Sequence, residues 1–341
     1  MLDTLGMREV ALGLPEQVED AARAAGEVGG LPSPQGVTAV VVMGMGGSGI
    51  GGDVCAAVAG PVASVPVVVS KHYECPAWVG PDTLVVASSF SGNTEETLTA
   101  ATSAAERGAR MVVLASGGRL ADRAAEWGAP LVPVDASIPM PRAGIGAVSV
   151  PLVVLLDRLG LAPGLAEQVG PAVAQLRRRR DQLTGDGGVA ADLARRIGRT
   201  FPLVYGGGPL GEVAAWRWKG QVNENPKAPA WCNRVPELTH NELAGWAQHG
   251  DVSRQVLTMV LLRHGFEHHH IAERFDFLAE ACREVVADVL TVEAEGDGPL
   301  AQLMDLVLVG DLTTLHMSFD AGVDPGPIAV LDELKAHLAG S

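Results

Sequence analysis

Positive charge is in short supply in this chain. Its 25 lysines and arginines face 40 aspartates and glutamates, a net charge of −15 over 341 residues. So negative a net charge disfavours nonspecific binding to a nucleic-acid backbone and argues against a general affinity for anionic lipid. An anionic ligand must be held by local dipoles and a few selected cations. Cysteine is also sparse: Cys55, Cys75, Cys232 and Cys282 are scattered and form no CxxC pair. That pattern fits reduced, buried thiols in a cytosolic protein. No apolar run approaches the ~20 residues that cross a bilayer, and no basic-then-apolar signal opens the chain. The expectation is a cytoplasmic protein with neither nucleic-acid nor membrane partners.

What the chain does have is apolar substance. Hydrophobic residues make up 47% against 19% charged, enough for a large core in two domains or two lobes. Residues 1–36 hold a helix at 15–25 and a Gly/Pro-rich link. Short, valine-rich runs then occur at 37–43, 65–70, 83–87, 110–115 and 131–133. They are apolar on both faces and separated by helical patterns, which marks α/β architecture with a parallel, doubly covered sheet. This first unit spans 37–160 and ends in a buried helix at 148–159. A polar helical connection follows at 161–199, where Arg177 to Arg180 read as a solvated helix face. A second α/β unit is expected over 200–341. Its strand at 201–205 runs into Gly206-Gly207-Gly208, with a helix at 210–223, a strand at 255–262, a helix at 271–287 and a strand at 289–292. Helices at 300–319 and 327–339 close the chain. Both units open with strand, glycine turn and helix, as a duplication would.

Two turns carry chemistry. Ser88-Ser89-Phe90-Ser91-Gly92-Asn93-Thr94 joins a buried strand to a helix at 95–107. Helix N-termini offer free N–H groups and a positive dipole end to anions. Ser89, Ser91 and Thr94 add hydroxyl donors, and Gly92 lets the backbone come close. The turn reads as a pocket for a small molecule's phosphate. Gly44-Met45-Gly46-Gly47-Ser48-Gly49, after the first strand, satisfies G-x-G-x-x-G. A dinucleotide site also wants an acid at the end of the second strand, where this chain has Ser70-Lys71-His72. Two anion-friendly turns on neighbouring strand ends favour a sugar phosphate. The rival, a nicotinamide-dependent oxidoreductase, would change NAD(P)H fluorescence on mixing.

The glycine turn together with Ser89–Thr97 resembles the sugar isomerase (SIS) fold. Asn223-Glu224-Asn225-Pro226-Lys227, Pro236-Glu237-Leu238-Thr239-His240-Asn241-Glu242 and the closing Asp324-Pro325…Leu334-Lys335 resemble the bifunctional phosphoglucose/phosphomannose isomerases. The resemblance runs from about residue 37 to the end. It implies two flavodoxin-like SIS subdomains, a homodimer, and an aldose–ketose isomerase of hexose 6-phosphates that uses neither metal nor cofactor. It places the phosphate among Gly47, Ser48, Ser89, Ser91 and Thr94. It implies Arg142 facing the sugar oxygens, Glu224 as proton-transfer base, His240 reaching from the partner subunit to open the ring, and Lys335 assisting. Two positions depart from the pattern: Phe90 stands where tyrosine is expected, and Gly326 where threonine is.

The residue types suit these roles. Aldose–ketose isomerisation needs a base between C2 and C1, a cation for the enediolate and an acid–base group for the ring. Glu224 ends a helix that Asn225-Pro226 should stop, and the negative dipole end there opposes an ionised carboxylate, which suits a base. Arg142 presents a permanently charged, planar set of donors. His240 changes charge near neutral pH. A regulator that only binds sugar phosphates would need the phosphate turn but not this set. His268-His269-His270 cannot all aim at one ion from a helix, and no cysteine or carboxylate set completes a metal site. Trp216, Trp218 and Trp231 are expected to pack the second unit or a dimer contact.

Overall fold

The computed structural model describes residues 2–184 and 188–339, so residues 185–187 of the expected polar connection lie outside the described residues. Two helices, α1 (Met7–Leu12) and α2 (Leu14–Glu27), precede β1 (Ala39–Met43), α3 (Gly46–Ala59), β2 (Val67–Ser70) and β3 (Thr83–Ser88). Next come α4 (Glu95–Glu106), β4 (Arg110–Ala115), α5 (Gly118–Trp127) and β5 (Leu131–Pro133). A 3-10 turn, Pro141–Gly144, opens α6 (Ile145–Arg158), and α7 (Val169–Thr184) and α8 (Val189–Ile197) follow. The second half holds β6 (Phe201–Gly207), α9 (Gly208–Glu224), β7 (Trp231–Val235), the 3-10 turn Glu237–His240, α10 (Glu242–Gly245), α11 (Gly250–Val256), β8 (Leu257–Arg263), α12 (His269–Cys282) and β9 (Asp288–Glu293). Helices α13 (Pro299–Asp320) and α14 (Ala329–Ala339) end it.

The strands form two wholly parallel sheets, ordered β2-β1-β3-β4-β5 and β7-β6-β8-β9. The first is the doubly wound 2-1-3-4-5 order, and the second repeats its first four positions. Alternation explains why the runs are apolar throughout. Val40 and Val42 of β1, Leu84 and Val86 of β3, and Val112 and Leu114 of β4 face one core. Val41, Met43, Val85, Ala87 and Val113 face another under α4 and α5. The first of these cores continues through α6 and α13 to Val204, Val260 and Leu290 of the second sheet, so the two halves share it. Tyr205, Met259 and Leu261 point the other way, beneath α12.

Several details depart from the sequence-based expectation. Strand β7, Trp-Cys-Asn-Arg-Val, carries no strand signal because it is an edge whose side chains are mostly half-buried or exposed. Residues 255 and 256 belong to α11, and α12 stops at Cys282. The arginine run is not a solvated face throughout. Arg179 is buried, with its Nη2 on Asp305 at 3.0 Å and its Nη1 on Glu295 at 2.5 Å. Cys55, Cys75 and Cys282 are buried free thiols, but Cys232 is only half-buried. Among the tryptophans only Trp218 is core; Trp216 and Trp231 are exposed. Among the described residues no helix is long and apolar enough to cross a membrane.

Trp218 fixes how closely α9 and α13 approach. Its Nε1–H donates to the Leu306 carbonyl at 2.8 Å, and a Cβ on Gly310 would lie 2.3 Å from that nitrogen. Overfilling a packed site costs about 1–3 kcal/mol or more. Gly310→Val should therefore lose at least that much unfolding free energy, read as a lower midpoint in urea. Gly220, on the same α9, has nothing within 4 Å of an added Cβ. Gly220→Ala should hold or raise stability, by up to about 1 kcal/mol. Equal midpoints for the two variants would contradict this packing.

Candidate active site

The glycine turn, the 88–94 turn and the 3-10 turn at Pro141–Gly144 meet at the C-terminal edge of the first sheet. A Cβ on Gly47 would sit 2.7 Å from the Pro141 carbonyl oxygen, so only glycine admits this contact. Ser48, buried, accepts from the Phe90 N–H through Oγ at 3.0 Å, which ties the first two turns together. The hydroxyls of Ser89 and Thr94 are 2.9 Å apart. Ser91 is exposed, and its Oγ accepts from the Asn93 N–H at 3.2 Å. Gly92 has φ 70°, and a Cβ there would fall 1.8 Å from the Gly117 carbonyl oxygen, so the turn requires glycine twice over. Neither α3 nor α4 has a side-chain cap, which leaves their first-turn N–H groups to serve an anion. Ser88 Oγ, at the end of β3, and Thr97 Oγ1, in the first turn of α4, are buried without a hydrogen-bond partner, as buried groups completed by ligand or water often are.

Arg142 follows directly from the Gly47 contact. Its side chain is only 4% exposed, and Nη1 lies 3.5 Å from Oε2 of Glu224, the last residue of α9. Its Nε donates to Asn225 Oδ1 at 3.3 Å. Its Nη2 donates to the carbonyls of Pro325 at 2.5 Å and Gly326 at 2.8 Å. Burial pulls the guanidinium below its ordinary pKa, and the Glu224 carboxylate opposes that. Behind it, Arg217 donates to the Arg142 carbonyl at 2.6 Å and forks onto Asp311 at 3.0 and 2.7 Å. Asn225 is held in turn by donating to Thr314 Oγ1 at 2.9 Å.

The hydroxyl cradle, Arg142 and Glu224 are thus gathered in one chain, but His240 and Lys335 are not. Glu224 lies at the start of the β7 connection, whereas His240 is exposed beyond its end. Five residues of parallel strand put about 13 Å between those ends. The His240 loop is itself firmly placed. Glu242 accepts from Tyr205 Oη and from Asn233 Nδ2, and Thr239 Oγ1 accepts from Arg274. Lys335 sits on the exposed face of α14, 3.6 Å from Asp332. Clefts of about 440 and 470 Å³ lie elsewhere, one between α3 and α9 and one beside Thr239. Among the described residues no group of three or more His, Cys, Asp or Glu could hold a metal ion. The second half's glycine turn is filled. A Cβ on Gly207 would meet Ile271 at 2.7 Å, Phe275 at 2.8 Å and the Glu267 carboxylate at 3.2 Å.

Residues 37–127 match the SIS domain family, and residues 188–338 match the bacterial phospho-glucose isomerase C-terminal SIS domain. A bifunctional phosphoglucose/phosphomannose isomerase of Caldicellulosiruptor bescii is 33% identical over 98% of this chain and 99% of its own. The chain belongs to this isomerase family. It is accordingly a SIS-domain member of the sugar-phosphate isomerase and epimerase superfamily. A D-glucosamine-6-phosphate 4-epimerase of Sulfolobus acidocaldarius is 31% identical, over 62% of this chain and 65% of its own. Among solved structures, the C-terminal domain of glucosamine-fructose-6-phosphate aminotransferase from Francisella tularensis superposes with a TM-score of 0.70. It is 14% identical and covers 93% of this chain and 96% of that one, which shows the shared fold.

Within this isomerase-family chain, sequence reading missed the support behind Arg142. Arg217 and Asp311 lie in helices that the sequence predicts, and Asn225 and Lys227 in the motif that carries the resemblance, yet the sequence assigns none of them a place in the site; Asn225 figures only as a helix stop. A signal existed for one pair: Asp311 interrupts an apolar helix, and a buried acid there demands a buried cation. Removing one partner of a buried pair typically costs ~3–5 kcal/mol. Arg217→Met should therefore lose stability on that scale in denaturant titration, whereas an unchanged midpoint would mean that the pair is solvated.

Proposed function

We propose that the protein interconverts glucose 6-phosphate and fructose 6-phosphate, and mannose 6-phosphate as well, as a cytoplasmic homodimer. The observation that carries this reading is the Arg142–Glu224 pair at 3.5 Å, next to a hydroxyl-lined helix-terminus cradle. Ser48, Ser89, Ser91, Thr94 and the Gly47 backbone would hold the phosphate. Glu224 would take the C2 proton of the open-chain aldose and return it to C1, while the proton of the C2 hydroxyl moves to O1. The negative charge passes meanwhile to the oxygens of a cis-enediolate, where the Arg142 guanidinium stabilises it. Glu224 and His240 sit at opposite ends of β7, which supports ring opening by a partner subunit's histidine. Lys335, on exposed α14, fits the same cross-subunit arrangement.

Glucose and mannose phosphates differ only at C2 and give one enediolate, so a single base can serve both. Gly326 bears on this. A Cβ there would lie 2.8 Å from the exposed Leu5 side chain, which would have to shift for a threonine, and the position already contributes its backbone carbonyl to Arg142. The dual activity then depends on Glu224 and Arg142 and not on a hydroxyl at 326.

Fructose 6-phosphate incubated with the pure protein should yield both glucose and mannose 6-phosphates on chromatography. Glucose 6-phosphate alone would restrict the activity to one epimer, and no turnover would favour a sugar-phosphate-binding regulator. Glu224→Gln should fold normally and lose about 10²–10⁴-fold in kcat; near-wild-type turnover would remove Glu224 from the role of base. Ser91→Ala should raise KM more than Glu224→Gln does.

A further inference from the structure

We infer that Lys227 is a positioning residue for Arg142, acting by clamping the C-terminal segment at Asp324–Gly326 onto the guanidinium; this rests on the isomerase reading above.

Three observations converge on it. Lys227 is one of two non-glycine residues with positive φ among the described residues, at 57°. A lysine held in that sparsely populated region carries strain, which persists where surrounding contacts over-determine it. Those contacts are visible. An ammonium has three donors, and Nζ places them on three backbone carbonyls: Asn225 at 3.1 Å, Asp324 at 2.6 Å and Pro325 at 3.2 Å. The Pro325 carbonyl is also the one that Arg142 Nη2 engages at 2.5 Å. The segment therefore lies between two cations and takes two hydrogen bonds from each.

Charge explains why both are needed. Arg142 is buried and Lys227 is exposed beside it; cations brought this close repel, and carbonyl dipoles set between them offset that repulsion. Burial first, and then Arg142, push the Lys227 ammonium below its ordinary pKa, while Asp324 and Glu224 act the other way. The segment is fastened elsewhere too. Thr4 Oγ1 donates to the Asp324 carboxylate at 2.6 Å, and the Gly326 N–H donates to it at 3.0 Å. With all three donors engaged on backbone, Lys227 acts on the reaction through Arg142. It fixes the Pro325 and Gly326 carbonyls that occupy Nη2, which leaves Nη1 turned toward Glu224.

Lys227→Gly keeps a backbone that tolerates positive φ and deletes the clamp. Hydrogen exchange at the hydrogen-bonded amides of Val323 and Gly326 should speed up in this variant, and kcat should fall about 10- to 100-fold. KM should stay within about twofold, because the phosphate cradle is untouched. Lys227→Arg, which retains charge and donors, should recover part of kcat and of the exchange protection. Unchanged exchange and kcat in Lys227→Gly would overturn the inference, as would a raised KM at constant kcat, which would make Lys227 a direct substrate contact. If Lys227→Gly fails to fold, Lys227→Gln is read in the same way. If the native protein turns over no hexose phosphate, the isomerase reading fails, but the exchange measurement still tests the clamp.

Discussion

A guanidinium almost wholly withdrawn from water must have its donors met inside the protein, and meeting those of Arg142 governs how the two halves come together. Desolvating an unpaired charge costs several kcal/mol, so each nitrogen needs a fixed partner. Nε finds the Asn225 amide, Nη2 the Pro325 and Gly326 carbonyls, and Nη1 the Glu224 carboxylate. The arginine's own carbonyl receives Arg217, whose charge is matched by Asp311. The first half contributes the arginine and its phosphate-side neighbours; the second contributes nearly every group that satisfies it. The shared core beneath them supplies bulk cohesion, but the directional constraint comes from this polar cluster.

The repeated topology shows the same economy of design. Both halves set a parallel sheet behind a glycine turn, yet only the first leaves that turn open to an anion. In the second, Ile271, Phe275 and Glu267 crowd Gly207, and His264 bonds the Gly207 carbonyl at 2.8 Å. The second half has turned its sheet into a support, and its contribution to the site leaves from the far end of α9. A single scaffold thus supplies a phosphate handle in one copy and the chemical group in the other.

Much of this was legible in the sequence, for physical reasons. Runs such as 39–43 and 83–88 must be buried on both faces, and only a covered parallel sheet does that. The hydroxyl turn announces itself because serine, glycine and threonine cluster where a strand meets a helix. Strand β7 stayed hidden because an edge strand need not be apolar, and its pairing with β6 is a long-range property. Arg179 stayed hidden for a similar reason: nothing local in Arg177–Arg180 tells which arginine turns inward to Asp305. The chemistry of Arg142 and Glu224 could be read from residue type and motif. The carbonyls of Pro325 and Gly326 could not, since every residue has one and only the folded chain decides which are aimed at a cation.

The position of those carbonyls bears on the order in which the protein is made. Domains fold as units during synthesis, N-terminal first, and the phosphate turn is complete in sequence by Thr94. Arg142, however, is answered by residues 217 to 225, then by 311 to 314, and last by Pro325 and Gly326, while Asp324 reaches back to Thr4. The first half emerges with a finished handle and an arginine that lacks its partners. Its charge is met once Glu224 has been made, but the carbonyls that hold Nη2 arrive only with Pro325 and Gly326, in a segment that closes back onto Thr4.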